Sequence, residues 1–143
     1  MALTIYLRAC GRRGDRNMHK DLKVSAWIGK FSDAHDLMQY VETRYDASGN
    51  STNQFWREIG ISWFDDDFRE ASMLASGNDA LADELREFSY GETFADELFR
   101  RLTQVRQPGM DGLILLYDFE YSDAGAQRLQ SRVTFVGTFD YRK

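Results

Sequence analysis

Asp65, Asp66, Asp67 and Glu70 form the densest group of chemistry-bearing side chains in the sequence. Neighbouring carboxylates can hold Mg2+ or Ca2+ through oxygen ligands. The same charges also suit the start of a helix or the surface of a basic partner. Successive side chains on a helix point in different directions, so only some of the four can converge, and the alternating Asp pattern of an EF-hand loop is missing. Asp118 and Glu120 form a second group, whose i, i+2 spacing puts both on one face of a strand. That pair resembles an acid–base couple, but reads better as solvent-facing gatekeepers at the end of a very apolar strand.

Other reactive chemistry is sparse. His19 stands in a basic N-terminal stretch and His35 on the outer side of a predicted helix, so neither is placed to activate a nucleophile. Cys10 is the sole cysteine. It has no internal disulfide partner and no C-x-x-C mate for zinc, which points to a reducing compartment. The phosphate-loop, dinucleotide and H-E-x-x-H motifs are absent from the sequence. The expectation is a protein without catalytic residues, metal or cofactor.

Positioning elements must come from one core. A chain of 143 residues fits a single domain, and 43% hydrophobic content is enough to fill it. Residues 1–20 carry five Lys/Arg against one acidic residue, leaving 13 basic and 22 acidic residues in 21–143. Residues 1–20 read as a disordered or extended basic tail, with an interaction arm as the competing view and Met18 as an alternative start. Residues 21–143 read as the folded α+β domain, whose acidic balance disfavours direct nucleic-acid binding and favours basic partners. Arginines interrupt the apolar start before a signal-peptide core is complete. No apolar run approaches the length of a membrane span, so a cytoplasmic, membrane-free protein is expected.

Hydrophobic periodicity outlines the elements. Residues 22–30 read as a strand, followed by a helix over 33–44 capped by Ser32 with Leu37, Val41 and Tyr45 inward. A short helix capped by Thr52 runs to Ile59 and stops at Gly60. Helices are predicted over 66–76, over 79–88, and over 94–106, the last capped by Thr93 with Phe94, Leu98, Leu102 and Val105 as its apolar stripe. Strands near 112–121 and 131–141 alternate with period two. In the first, Leu113, Leu115, Tyr117, Phe119 and Tyr121 share a face; in the second, Val133, Phe135, Phe139 and Tyr141 do, with Gly137 leaving a gap for an aromatic ring. The resulting fold class is α+β: a small antiparallel sheet with helices packed on one face. Trp27, Trp56 and Trp63 are expected mainly in the core.

Several separated segments resemble the immunity protein 22 family: VSAWIGKF (24–31), FSYGETF (88–94), LILLYDFEY (113–121) and FVGTFDY (135–141). The likeness spans about residues 22–141 in the family's order and leaves the first twenty residues without a counterpart. It implies an inhibitor from a polymorphic toxin system that binds a cognate toxin domain, with a basic nuclease as one class. The family pattern carries no catalytic residues to transfer. Its signature positions, Trp27, Gly29, Tyr90 and Tyr117, read as structural; Asp65, Asp66, Asp67, Glu70, Asp118 and Glu120 are the candidate partner contacts. The alternative is a small metal-dependent enzyme using one of the carboxylate groups.

Overall fold

The computed structural model describes residues 19–75, 77–121 and 131–143. The basic stretch through Met18, with Cys10, lies outside them. Strand β1 (His19–Lys30) is followed by helix α1 (Ala34–Val41), a hairpin of β2 (Arg44–Tyr45) and β3 (Ser51–Thr52), and helix α2 (Gln54–Ile59). A 3-10 turn at Asp66–Phe68 leads into β4 (Arg69–Met73), then α3 (Leu81–Leu85), a 3-10 turn at Gly91–Thr93, and α4 (Ala95–Val105). Strands β5 (Met110–Phe119) and β6 (Val133–Asp140) complete the chain. The main sheet has the order β4-β5-β1-β6, and every neighbouring pair is antiparallel.

The α+β antiparallel architecture matches the sequence reading, but helices cover both faces of the sheet where one covered face was expected. Val24, Ala26 and Ile28 of β1 and Leu113, Leu115 and Tyr117 of β5 share a cluster with α3 and α4. Trp27, Ile114, Leu116 and Phe119 share the other with α1 and α2. The near-continuous apolar run of β5 requires this second layer, because both of its faces leave water.

Two strands change phase partway along. In β5 the alternation breaks at Asp118, whose φ of 58° lies in the left-handed region, so Phe119 and Tyr121 join the face of Leu116 rather than that of Tyr117. The buried Ser25 side chain stitches this break: its Oγ donates to Phe119 O at 2.7 Å and accepts from the N–H of Tyr121 at 3.0 Å. In β6 a register shift opposite Ala26 and Trp27 turns Val136, Phe139 and Tyr141 to one cluster and leaves Val133 and Phe135 with the other. Phe139 and Arg101 occupy the space beside Gly137, so the gap is filled by a ring from the same strand.

The predicted helix over 66–76 is a single 3-10 turn followed by β4. Asp65 caps the turn through the Asp67 N–H at 2.9 Å, which uses the acidic signal without propagating a helix. Phe68 and Leu74 then anchor opposite core clusters, and pairing with β5 outweighs the weak strand propensity of REASM. Local caps also shift. Asp33 caps α1 by accepting from Asp36 N–H at 2.9 Å, while the Asp36 carboxylate accepts from Ser32 N–H at 2.9 Å, one residue before the cap. Asn53, not Thr52, caps α2 through the Trp56 N–H, and its amide also donates to Val41 O at 2.8 Å. No side chain caps α4; Thr93 instead donates to Tyr90 O. Tyr45 lies on β2 and is 71% exposed, so it leaves the inward face of α1 to Leu37, Tyr40 and Val41.

Candidate interaction surface

The sequence-defined carboxylates do not form one site. Asp66 accepts from Thr43 Oγ1 at 3.0 Å and Arg69 Nη1 at 3.0 Å, tying the 3-10 turn to the segment after α1. Asp66 and Asp67 are exposed. Glu70 points to the opposite side of the sheet. It accepts from the Tyr117 hydroxyl at 2.7 Å and from the N–H and hydroxyl of Ser89 at 3.0 and 2.9 Å. Among the described residues no group of three His, Cys, Asp or Glu side chains is arranged to hold a metal ion.

Asp118 and Glu120 also separate. Asp118 is 1% exposed and is no surface gatekeeper: Oδ1 accepts from Tyr141 Oη at 2.5 Å and Leu22 N–H at 2.9 Å. Its Oδ2 is buried without a hydrogen-bond partner. The phase break at residue 118 turns this side chain inward, which a strict two-residue period cannot anticipate. Glu120 is half-buried.

The four signature positions occupy packed places. Trp27 sits among the rings of Phe55, Tyr121 and Phe135, with centroids 5.1, 5.1 and 5.4 Å away. A Cβ on Gly29 would lie 2.5 Å from Arg132 O, so only glycine allows β6 to approach there. Tyr90 adopts φ 58° and packs its ring against Tyr117 and Tyr141. Burial, followed by the charge and hydrogen bond of Glu70, pushes the Tyr117 hydroxyl well above the usual tyrosine range. Trp56 is buried, and Trp63 packs against the same cluster from a partly exposed position.

Arg132 organises a polar depression of about 240 Å³ beside α1 and α2. Its guanidinium grips Asp36 at 2.7 and 3.2 Å, reaches Lys30 O at 3.1 Å, and lies 4.4 Å from the ring centre of Phe31. The Arg132 hydrogen bond holds the Asp36 carboxyl down at about 2, with the Ser32 N–H adding to the effect. Arg132 N–H and Tyr40 Oη both donate to Glu58 Oε1, at 2.9 and 2.7 Å. Partial burial pushes the Glu58 carboxyl up, but hydrogen bonds from Arg132, Gln54 and Tyr40 outweigh it and leave it lowered. These mutual bonds make a brace between β6 and the helical layer, in which the charges are directed at one another.

A larger groove, about 480 Å³, follows β4. Met38 of α1 stands on one side, Glu84, Glu87 and Phe88 on the other, with Arg69 and Ala71 of β4 among its lining. Met38 is 43% exposed, unusual for a large apolar side chain in this fold. Sequence reasoning missed this surface because it assigned residues 66–76 to a helix. The exposed position of Met38 beside Leu37 was the available signal.

No helix among the described residues is long and apolar enough to cross a membrane. Neither a curated protein nor a solved structure matches the chain. A profile of the immunity protein 22 family matches residues 24–142, covering the sheet, both helical layers and all four signature positions. The chain belongs to the immunity protein 22 family.

Proposed function

We propose that this chain neutralises a cognate bacterial toxin domain by stoichiometric binding in the cytoplasm of the cell that makes both. The family match across residues 24–142 is the observation that carries this reading. The packing of the signature residues supports it, since Trp27, Gly29, Tyr90 and Tyr117 build the scaffold and leave recognition to the surface. A formal net charge of −5 suits a basic partner, because opposite charge speeds encounter and suppresses wrong partners. A nuclease with a phosphate-binding cleft is the toxin class that such an inhibitor fits best. The exposed Asp66 and Asp67 and the groove along β4 offer acidic contacts for it.

Co-expression with a toxin domain found encoded beside this chain tests the reading. Host survival and co-purification of the pair are expected. Death of the host despite abundant folded chain would contradict neutralisation of that domain.

A further inference from the structure

Strand β4 ends the sheet on one side, and among the described residues no strand pairs with its outer edge. Leu74 N–H donates to Asp111 O at 2.6 Å, continuing the β4–β5 register. Because bonding alternates along an antiparallel pair, Ser72 and Glu70 also bond toward β5, and the main-chain groups of Ala71 and Met73 face outward. The Arg69 N–H is already used by Asp66 O. Among the described residues, Met73 O meets only the Ser72 hydroxyl, at 3.5 Å, the outer limit of a hydrogen bond. The outward groups open on the 480 Å³ groove walled by Met38, Glu84, Glu87 and Phe88.

The opposite edge is protected differently. Strand β6 carries the register shift opposite Ala26 and Trp27, a distortion that blunts an edge against further pairing. Strand β4 pairs with β5 without a shift from Arg69 to Met73. An unshifted edge flanked by two side-chain walls is the geometry into which an extended segment adds as another strand.

We propose that the toxin docks here by strand addition: an extended, basic segment of the toxin pairs with β4 as a fifth strand. Its main chain bonds to Ala71 and Met73, a basic side chain faces Glu87 and Glu84, and an apolar one lies over Met38 or Phe88. Charge selects this occupant. The groove lining holds Glu84 and Glu87, besides the Glu70 carboxylate engaged by Tyr117 and Ser89, against Arg69, which is paired with Asp66; Asp66 and Asp67 stand exposed just before the strand. A second copy of this chain would bring two such acidic walls together, which like-charge repulsion disfavours. The inference rests on the neutralisation reading and specifies its surface.

The test is amide hydrogen exchange on the full chain, free and bound to the toxin domain that it neutralises in co-expression, with affinities for Ala71→Pro and Glu87→Lys. On binding, the Ala71 and Met73 amides should slow by about tenfold or more. Ala71→Pro removes a donor the fold does not use and should weaken binding about tenfold, with Tm held near the wild type. If the proline disturbs the fold, Glu87→Lys carries the test, because Glu87 is exposed; it should slow association several-fold at low salt. A wild-type complex whose β4 amides exchange unchanged, with both folded variants binding at full strength, overturns strand addition while leaving neutralisation intact. Failure of the wild-type chain to bind the domain overturns the neutralisation reading and this inference with it. Slowing of the same amides as free chain is concentrated identifies self-pairing and overturns the toxin as occupant.

Discussion

Tyr117 Oη lies 2.7 Å from Glu70 Oε1, joining the C-terminal end of β5 to β4 beneath the Ser89 loop. The same carboxylate accepts both donors of Ser89, so one acidic side chain holds three segments together. Glu70 is thereby separated in role from Asp67, its near neighbour in sequence.

Truncation should expose that difference. Glu70→Ala is expected to cost about 1–3 kcal/mol, because it removes the carboxylate that accepts from the buried Tyr117 hydroxyl and from both donors of Ser89. Asp67→Ala should stay within about 0.5 kcal/mol, as is usual for an exposed position. Denaturant unfolding of the two variants measures both values, and equal losses would count against the bracing role of Glu70.

Alkaline titration should reveal Tyr40 and Tyr117. Burial is the largest influence on both hydroxyls, and the carboxylates of Glu58 and Glu70 add to it, so both are raised above their unfolded value. Their stabilising contribution is full below about pH 10 and declines above it, by about 1.4 kcal/mol per pH unit for each tyrosine. Tyr40→Phe and Tyr117→Phe should each remove one share of that slope. Tyrosinate absorbance appearing from these two residues near pH 10, with the chain still folded, would refute the assignment.

The brace at Arg132 has the opposite pH signature. Asp36 is held at about 2, chiefly by its hydrogen bond to Arg132. A depressed carboxyl stabilises the fold above its unfolded value of about 3.9 and loses that contribution as pH falls toward the folded value. Asp36→Asn should therefore be less stable than the wild type at neutral pH, with the difference shrinking between about pH 4 and pH 2. A gap independent of pH would show that the pair is not the source.

Gly29→Ala should disturb the same brace from the sheet side. The new Cβ would meet Arg132 O at 2.5 Å and Val133 Cγ1 at 2.9 Å. Displacing β6 costs about 1–3 kcal/mol, as for other overpacked sites. The variant should also lose much of the acid signature of Asp36, because Arg132 moves with its backbone. Wild-type stability would contradict the close approach.

Periodicity located β1, α4, β5 and β6, because each places several large apolar residues at regular spacing on a buried face. It failed where geometry departs from a constant period. At Asp118 and at Val136 the strands change phase, and nothing local distinguishes Asp118 from an outward gatekeeper until Tyr141 and Leu22 are seen to bond it. Strand β4 was illegible for another reason: three aspartates before REASM imitate a helix start, and the pairing that makes it a strand comes from Gly112 to Leu116, distant in sequence. The groove beside it was hidden by the same error. Family membership was legible because its signature residues are scaffold residues, whose types are dictated by packing.

Titrating the purified toxin domain with this chain, and following the toxin's own activity, tests neutralisation by binding most directly. A linear fall that reaches zero at molar equivalence is expected. Undiminished activity in excess chain, or inactivation by far less than one equivalent, would contradict it.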